Sequence, residues 1–594
     1  MALFLPKSLG KSLMMLLLLG VCAQAAQISI VYPLEGDTLR AASYDSAYIF
    51  GQVVPSNARL LINETPVRVY KNGAFMAFLP LSTGDFNYRC RLIADEVVEV
   101  NRRIFVEKPA PMPGDRLAID RRSVEPRLDH RLLPGDRIMI ALNGTPGMRA
   151  YFRIDDGPFY PMRENETIGE PYWAEAAFGA GNASVPPLPG RYTGTYILQP
   201  EDRFIDAAVQ VMLVNAAGDS DVAEAPGRVS IWPLNPPQMA ETVERTVLRA
   251  GRSKSYYYFW PKNVRCRLTG QVGSSYRIGL ADGEEAWAES RKLRRLPEGT
   301  SWPPVLVRVV RTADFSDWTR VRVYTGSRVP FRVEQNVAPQ SLKIFFYGVT
   351  ADTDWMRRQG TDEIGHLVWR QEASDVYSLE VHLRAKQQWG WRADYDDYGF
   401  YIDIKKPPQH GFKGLTVLLD PGHSPDSGAV GPTGLMEKDA NLALARAVAA
   451  ELHRRGALVE WTRQAEGISL AERARLAERS NADVLLSLHH NAVPDGINPL
   501  RHHGSSVYYY HPQSYELARR IHQKLLEKLK LPDFGLYYDN LAMCRSPNMP
   551  AVLIEPAFMI HPVEEALIRT PVYGRVCARA IADGLADFLK TFRE

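Results

Sequence analysis

The run Leu415-Thr416-Val417-Leu418-Leu419-Asp420-Pro421-Gly422-His423 constrains this chain more than any other stretch. An apolar segment of strand length stops on Asp-Pro-Gly, and a histidine stands just past the stop. A parallel strand delivers a side chain to the carboxyl edge of an α/β sheet in this way, and such folds keep their sites at that edge. From here on the pattern alternates. Strands predicted at 415–420, 457–462, 483–489, 505–510 and 551–555 interleave with helices at about 439–455, 470–480, 513–530 and 571–592. Asp439 is the expected cap of the first helix and Gly456 its stop. Strand–helix alternation over 411–594 implies a layered, mostly parallel sheet.

Upstream the texture is different. At 594 residues the chain is too long for one core, and roughly three to five domains are expected. Residues 1–25 read as a secretory signal peptide: Lys7 and Lys11, then the apolar run Leu13–Leu19, then Ala23-Gln24-Ala25 as the cleavage site. That run is too short to span a bilayer, and no stable membrane insertion is expected. Cys22 is a poor lipidation site because the bulky Val21 precedes it. The four remaining cysteines, Cys90, Cys266, Cys544 and Cys577, lack metal-type spacing and read as isolated thiols. A net charge of +3 is too small to argue for nucleic acid.

Short strands with turn signals fill residues 27–108, with Lys71-Asn72-Gly73 as a hairpin turn. This pattern resembles bacterial immunoglobulin-like modules. A Pro-rich, charged stretch at 109–130 reads as a linker, and 131–234 as a second β module. Residues 241–298 are similar to a bacterial SH3-like barrel, from Val247-Leu248-Arg249-Ala250-Gly251 through Ala286-Trp287. Residues 301–408 form a further β-rich module with partial period-2 alternation at 331–335, 342–349 and 377–383, a pattern that resembles envelope-targeting modules. Its aromatic edge (Trp389, Trp391, Tyr395, Tyr398) reads first as core, and second as a sugar-stacking face.

Four C-terminal residues close motifs at element ends: His423, Glu437, His489 (or its neighbour His490) and Glu555. They lie 14, 52 and 66 residues apart when His489 is counted. Each has an ordinary reading as a loop histidine, a helix-start acid or a strand-edge residue. Together they fit a zinc hydrolase, which keeps three protein ligands and one open position. His423, Glu437 and His489 would hold Zn2+, which acidifies water and polarises a carbonyl, and Glu555 would be the base. Strand alternation lets only one of His489 and His490 face the site.

The segment 414–594 resembles the zinc-dependent N-acetylmuramoyl-L-alanine amidases of the bacterial cell wall, the amidase-3 class. Asp420-Pro421-Gly422-His423, Gly434-Leu435-Met436-Glu437-Lys438-Asp439, Ser487-Leu488-His489-His490-Asn491 and Met549-Pro550-Ala551-Val552-Leu553-Ile554-Glu555 match its four motifs in order. The resemblance assigns the third ligand to His489 and makes Glu555 catalytic. It implies a multidomain protein in which all-β modules precede an α/β zinc amidase. Its substrate would be peptidoglycan, cut between N-acetylmuramic acid and L-alanine, in the periplasm or cell envelope. A zinc peptidase acting within wall stem peptides, or a non-catalytic wall-binding scaffold, are the alternatives. The chain departs from the family at Ser424-Pro425-Asp426, where glycines are usual, and at Pro556-Ala557-Phe558-Met559-Ile560-His561. Only Ala492 to His503 separate the third motif from the next strand, so no autoinhibitory helix is expected there.

Overall fold

A computed structural model describes residues 25–41, 45–107, 116–164, 173–178, 189–233, 235–359, 362–408, 411–465 and 467–592. The expected signal peptide lies outside these residues, apart from Ala25. Among the described residues, the elements from Gln27 to Lys405 are strands apart from the short helix Trp173–Phe178 and a single 3-10 turn at Ser290–Lys292, and a C-terminal α/β domain follows them.

Residues 27–107 form two packed sheets, one of three strands and one of five. Alternation explains the packing: in Gly84–Ile93 the side chains of Tyr88, Cys90 and Leu92 are buried in turn, meeting Ile49 and Phe75 from the other sheet. The next unit is a seven-stranded sheet. Its edge strand, Ile119–Glu125, lies inside the stretch expected to be a linker and pairs antiparallel with Arg137–Gly144. The sequence hides this strand because a register shift breaks its alternation, leaving only Ile119 and Val124 buried.

A nine-stranded sheet follows, mostly within residues 238–295. The short strands His130–Leu132 and Val229–Ile231 join it from either side of the preceding unit. Residues 305–405 add sheets of five and four strands. These last two units share one hydrophobic core, running from Trp260 and Leu268 to Phe346, Tyr377 and Phe400. The aromatic edge divides. Trp389 and Tyr395 are buried, with Trp389 packed on Phe588 of the C-terminal domain, whereas Tyr398 is exposed. All four described cysteines are buried free thiols.

The C-terminal domain contains β1 (Thr416–Pro421), α1 (Glu437–Arg455), β2 (Leu458–Trp461), α2 (Leu470–Arg479), β3 (Val484–Leu488), β4 (Ser505–Tyr509), α3 (Tyr515–Leu529), β5 (Asp533–Tyr538), β6 (Ala551–Glu555), α4 (Pro562–Ile568) and α5 (Pro571–Thr591). The sheet order is β2-β1-β3-β6-β4-β5. Every pair is parallel except β4 against β6. The central strands β1, β3 and β6 are buried along almost their whole length, which is why they read as continuous apolar runs.

Helix α1 begins at Glu437 with Met436 in the cap position, so Asp439 lies within its first turn rather than capping it; Gly456 ends it with φ 97°. Ser469 caps α2 through a reciprocal capping box with Glu472. Strand β5 and helix α4 were not anticipated. β5 is the outermost strand and only half-buried, so its sequence carries no clear apolar face. No helix occurs within residues 492–503, and no helix among the described residues is long and apolar enough to cross a membrane.

The β units dock on this domain through specific polar contacts. Lys405, almost fully buried, donates to the Asn481 carbonyl at 2.6 Å and pairs with Asp483 at 3.2 Å. Trp318 Nε1 donates to Asn481 Oδ1 at 3.0 Å. Gly390 permits a close backbone approach, because a Cβ there would stand 2.1 Å from the Asn548 carbonyl oxygen. From the N-terminal unit, Tyr48 Oη donates to the Val493 carbonyl and Tyr32 Oη to Asp495, both at 2.7 Å. These two contacts hold the loop that follows β3.

Candidate active site

The carboxyl ends of β1, β3 and β6 bring the four motif residues to one edge of the sheet, with α1 supplying Glu437 from its first turn. His423 Nε2 lies 3.0 Å from Glu437 Oε2, and His489 Nδ1 lies 3.0 Å from Glu437 Oε1. One donor atom from each residue falls within 4.8 Å of the others. The imidazole planes are inclined at 73°. Two nitrogens and one carboxylate, converging from non-parallel rings, match the donor set of a three-ligand zinc site, whose donors sit about 3.3 Å apart when tetrahedral.

Glycines make this closeness possible. A Cβ on Gly422 would stand 2.2 Å from the His489 ring, and one on Gly428 would stand 2.5 Å from Glu437 Oε2. His423 and Ser424 adopt φ of 63° and 70°, an uncommon conformation for side-chain-bearing residues that turns the His423 ring in from the strand end.

A second donor group, His503, His561 and Glu564, fits an ion less well. Its two imidazoles stack face to face, with centroids 4.2 Å apart and planes at 9°. One ion cannot lie in both ring planes, where the nitrogen lone pairs point.

The ambiguity between the adjacent histidines is resolved by packing. His490 points away from the cluster into the core, where Nδ1 meets Asn441 Oδ1 at 2.7 Å and Nε2 meets Tyr573 Oη at 3.0 Å. Burial pushes its pKa down to about 4, keeping it neutral.

Glu437 is buried, which by itself raises a carboxyl pKa. Hydrogen bonds from His423 and His489 outweigh that and hold it well below the ordinary range. It also accepts from Ala429 N at 2.9 Å and Asn441 Nδ2 at 3.1 Å, so its orientation is fixed. Glu555 is the opposite case. Burial, and then the nearby Glu437 charge, pushes its pKa well above the ordinary value. Its Oε2 is buried with no hydrogen-bond partner. A carboxylate left unpaired beside a cluster of metal-type donors is poised to exchange a proton.

Two residues that sequence reasoning missed complete the site. Asp426, in the segment that departs from the family pattern, places Oδ1 2.5 Å from His423 Nδ1. A carboxylate on the ring nitrogen opposite the one that faces Glu437 fixes the ring and its tautomer. Arg463, buried, donates to the carbonyls of Pro421 at 3.0 Å, Gly422 at 2.9 Å and Lys438 at 2.8 Å. It ties the loop carrying His423 to the helix start carrying Glu437. Read as a zinc site, the cluster should lose about 10- to 100-fold in zinc affinity when Asp426 is replaced by alanine, without unfolding of the domain, as read by competition with a fluorescent chelator.

Residues 417–587 match the family model described as N-acetylmuramoyl-L-alanine amidase. The N-acetylmuramoyl-L-alanine amidase LytC of Bacillus subtilis is 36% identical over 183 residues, which cover 30% of this chain and 36% of LytC. The probable cell wall amidase LytH of Staphylococcus aureus is 28% identical over 239 residues, covering 38% of this chain and 79% of LytH. Among solved structures, the N-acetylmuramoyl-L-alanine amidase AmiC2 of Nostoc punctiforme is 34% identical, covering 30% of this chain and 97% of that one, with a TM-score of 0.28. The chain thus spans about a third of the length of LytC and most of LytH.

Proposed function

We propose that the C-terminal domain is a zinc-dependent hydrolase that cleaves the amide between N-acetylmuramic acid and L-alanine in peptidoglycan. The observation that carries this reading is the convergence of His423, Glu437 and His489 on one point, with the unpartnered carboxylate of Glu555 beside it. The family match over residues 417–587 supports the choice of bond.

In this reading His423, Glu437 and His489 hold the ion, and Asp426 fixes the His423 ring. When bound, zinc supplies Lewis acidity toward an amide carbonyl and lowers the pKa of water toward neutrality. Glu555 takes a proton from the attacking water at its free oxygen and returns it to the leaving nitrogen of L-alanine. Its raised pKa suits both halves of that exchange. Arg463 acts at a distance, holding the strand-end loop and the helix start in register. The β units, read as an immunoglobulin-like module at 27–108, an SH3-like module at 241–298 and an envelope-targeting module at 301–408, would present this domain to the wall after export.

Stripping the protein with a chelator should abolish release of peptide from purified wall, and stoichiometric zinc should restore it, whereas magnesium should not. Full activity in chelated, metal-free protein would contradict the assignment of His423, Glu437 and His489 as ligands.

A further inference from the structure

A cleft of about 420 Å³ lies where the units spanning 238–295 and 305–405 meet the C-terminal domain. Its floor is aromatic, built from Tyr256, Tyr257 and Phe259. Arg545 lays its guanidinium over Tyr256 at 3.8 Å from the ring centroid, and Arg249 approaches the same ring at 4.3 Å. Arg545 donates to Asn540 Oδ1 at 2.7 Å and to the Asn540 carbonyl at 2.8 Å, and Arg249 to the Lys254 carbonyl at 2.9 Å. Neither has an acidic partner among the described residues. The acids nearby are already matched: Glu478 pairs with Arg245 at 3.0 Å, and Glu334 pairs with Arg332.

Three residues lining the cleft carry buried polar atoms with no hydrogen-bond partner: the donor Trp391 Nε1, the acceptor Gln335 Oε1 and the hydroxyl Tyr258 Oη. The other half of the Gln335 amide is engaged, donating to Gln388 and Gln513. A buried donor, a buried acceptor and an unneutralised arginine around one cavity are costly unless a ligand satisfies them.

We propose that this cleft binds a small anionic, amide-bearing ligand. Its carboxylate would sit on Arg545, an amide carbonyl would accept from Trp391 Nε1, and an amide N–H would donate to Gln335 Oε1. The apolar face of the ligand would rest on the tyrosines. A neutral aliphatic molecule would leave all three groups unanswered, and a cation would be repelled by Arg545.

The cleft is not the reacting site. Ser506 pairs with Glu555, whereas Tyr509 pairs with Val552, so the cleft-lining Tyr510 and His511 lie toward the far end of β6 from Glu555. Two sources share the required chemistry, an N-acylated acidic sugar and the carboxyl terminus of a short peptide. The choice of wall-type probes rests on the proposed function; the binding chemistry does not.

Calorimetric titration of the full chain distinguishes the sources. The probes are N-acetylmuramic acid and N-acetyl-Ala-Ala, each beside its uncharged counterpart, N-acetylglucosamine and N-acetyl-Ala-Ala amide. One acid should bind about tenfold more tightly than its neutral counterpart, and which one does so identifies the source. Arg545→Gln and the conservative Trp391→Phe should each weaken that binding by about tenfold. Equal affinity for acid and neutral probes, absence of binding by either acid, or wild-type binding in both variants would overturn the proposal. The titration reads binding without turnover, so the hydrolase reading stands or falls separately.

Discussion

Glu555→Gln is expected to lower turnover on peptidoglycan by about 10²- to 10⁴-fold while leaving zinc content and thermal stability unchanged. The residue ends β6, and its free oxygen has no protein partner, so the substitution breaks no hydrogen bond that holds the fold. Burial penalises the charged form, so a neutral amide of the same shape is expected to be tolerated. What is lost is the ability to take and return a proton. A variant that loses its metal would show instead that Glu555 is a ligand. A variant with near-normal turnover would move the base elsewhere, and the neighbouring Tyr508 would be the next residue to test.

The second large effect concerns Asp420, one strand position from the turn that carries His423. Its carboxylate is fully buried and accepts from Arg473 Nη1 at 2.9 Å on both oxygens, Thr462 Oγ1 at 2.6 Å and Ser487 Oγ at 2.7 Å. It ties β1 to β3, to the end of β2 and to α2. Asp420→Ala would leave the Arg473 guanidinium buried without its counter-charge, costing about 3–5 kcal/mol, a large part of a domain's stability. Chemical denaturation should show that loss in the C-terminal transition, with wall hydrolysis failing alongside it. A shift below about 1 kcal/mol would mean that water or a rearranged side chain replaces the aspartate.

These two residues illustrate what was legible before the structure. Asp420 and Glu555 both end apolar runs, and in a doubly covered parallel sheet a polar residue at such a position is conspicuous. The same logic marked His423 and His489, and the family resemblance supplied their roles. Local pattern alone did not separate His489 from His490, because two adjacent histidines at a strand end can exchange places; the partners of His490, Asn441 and Tyr573, are 49 and 83 residues away. Asp426 and Arg463 were invisible for a related reason. Asp426 sits in an irregular loop where the family resemblance pointed only to a departure, and Arg463 acts on three backbone carbonyls, which leave no trace in side-chain pattern.

The β half was legible as strands but not as an assembly. The strand Ile119–Glu125 was concealed by its register shift, and the common core of residues 238–405 depends on contacts between strands far apart in the chain. Docking of Tyr32 and Tyr48 onto the loop after β3 likewise joins positions more than 440 residues apart, beyond the reach of any local period.

The bond that is cut tests the central claim most directly. Purified peptidoglycan digested with the zinc-loaded protein, and in parallel with Glu555→Gln, would be resolved by mass spectrometry. Intact stem peptides with a free L-alanine amino terminus, together with glycan strands bearing the free lactyl carboxylate, are the predicted products, present only with the unsubstituted protein. Fragments cut within the stem peptide, with the bond to N-acetylmuramic acid intact, would contradict the account and identify a peptidase built on the same donor cluster.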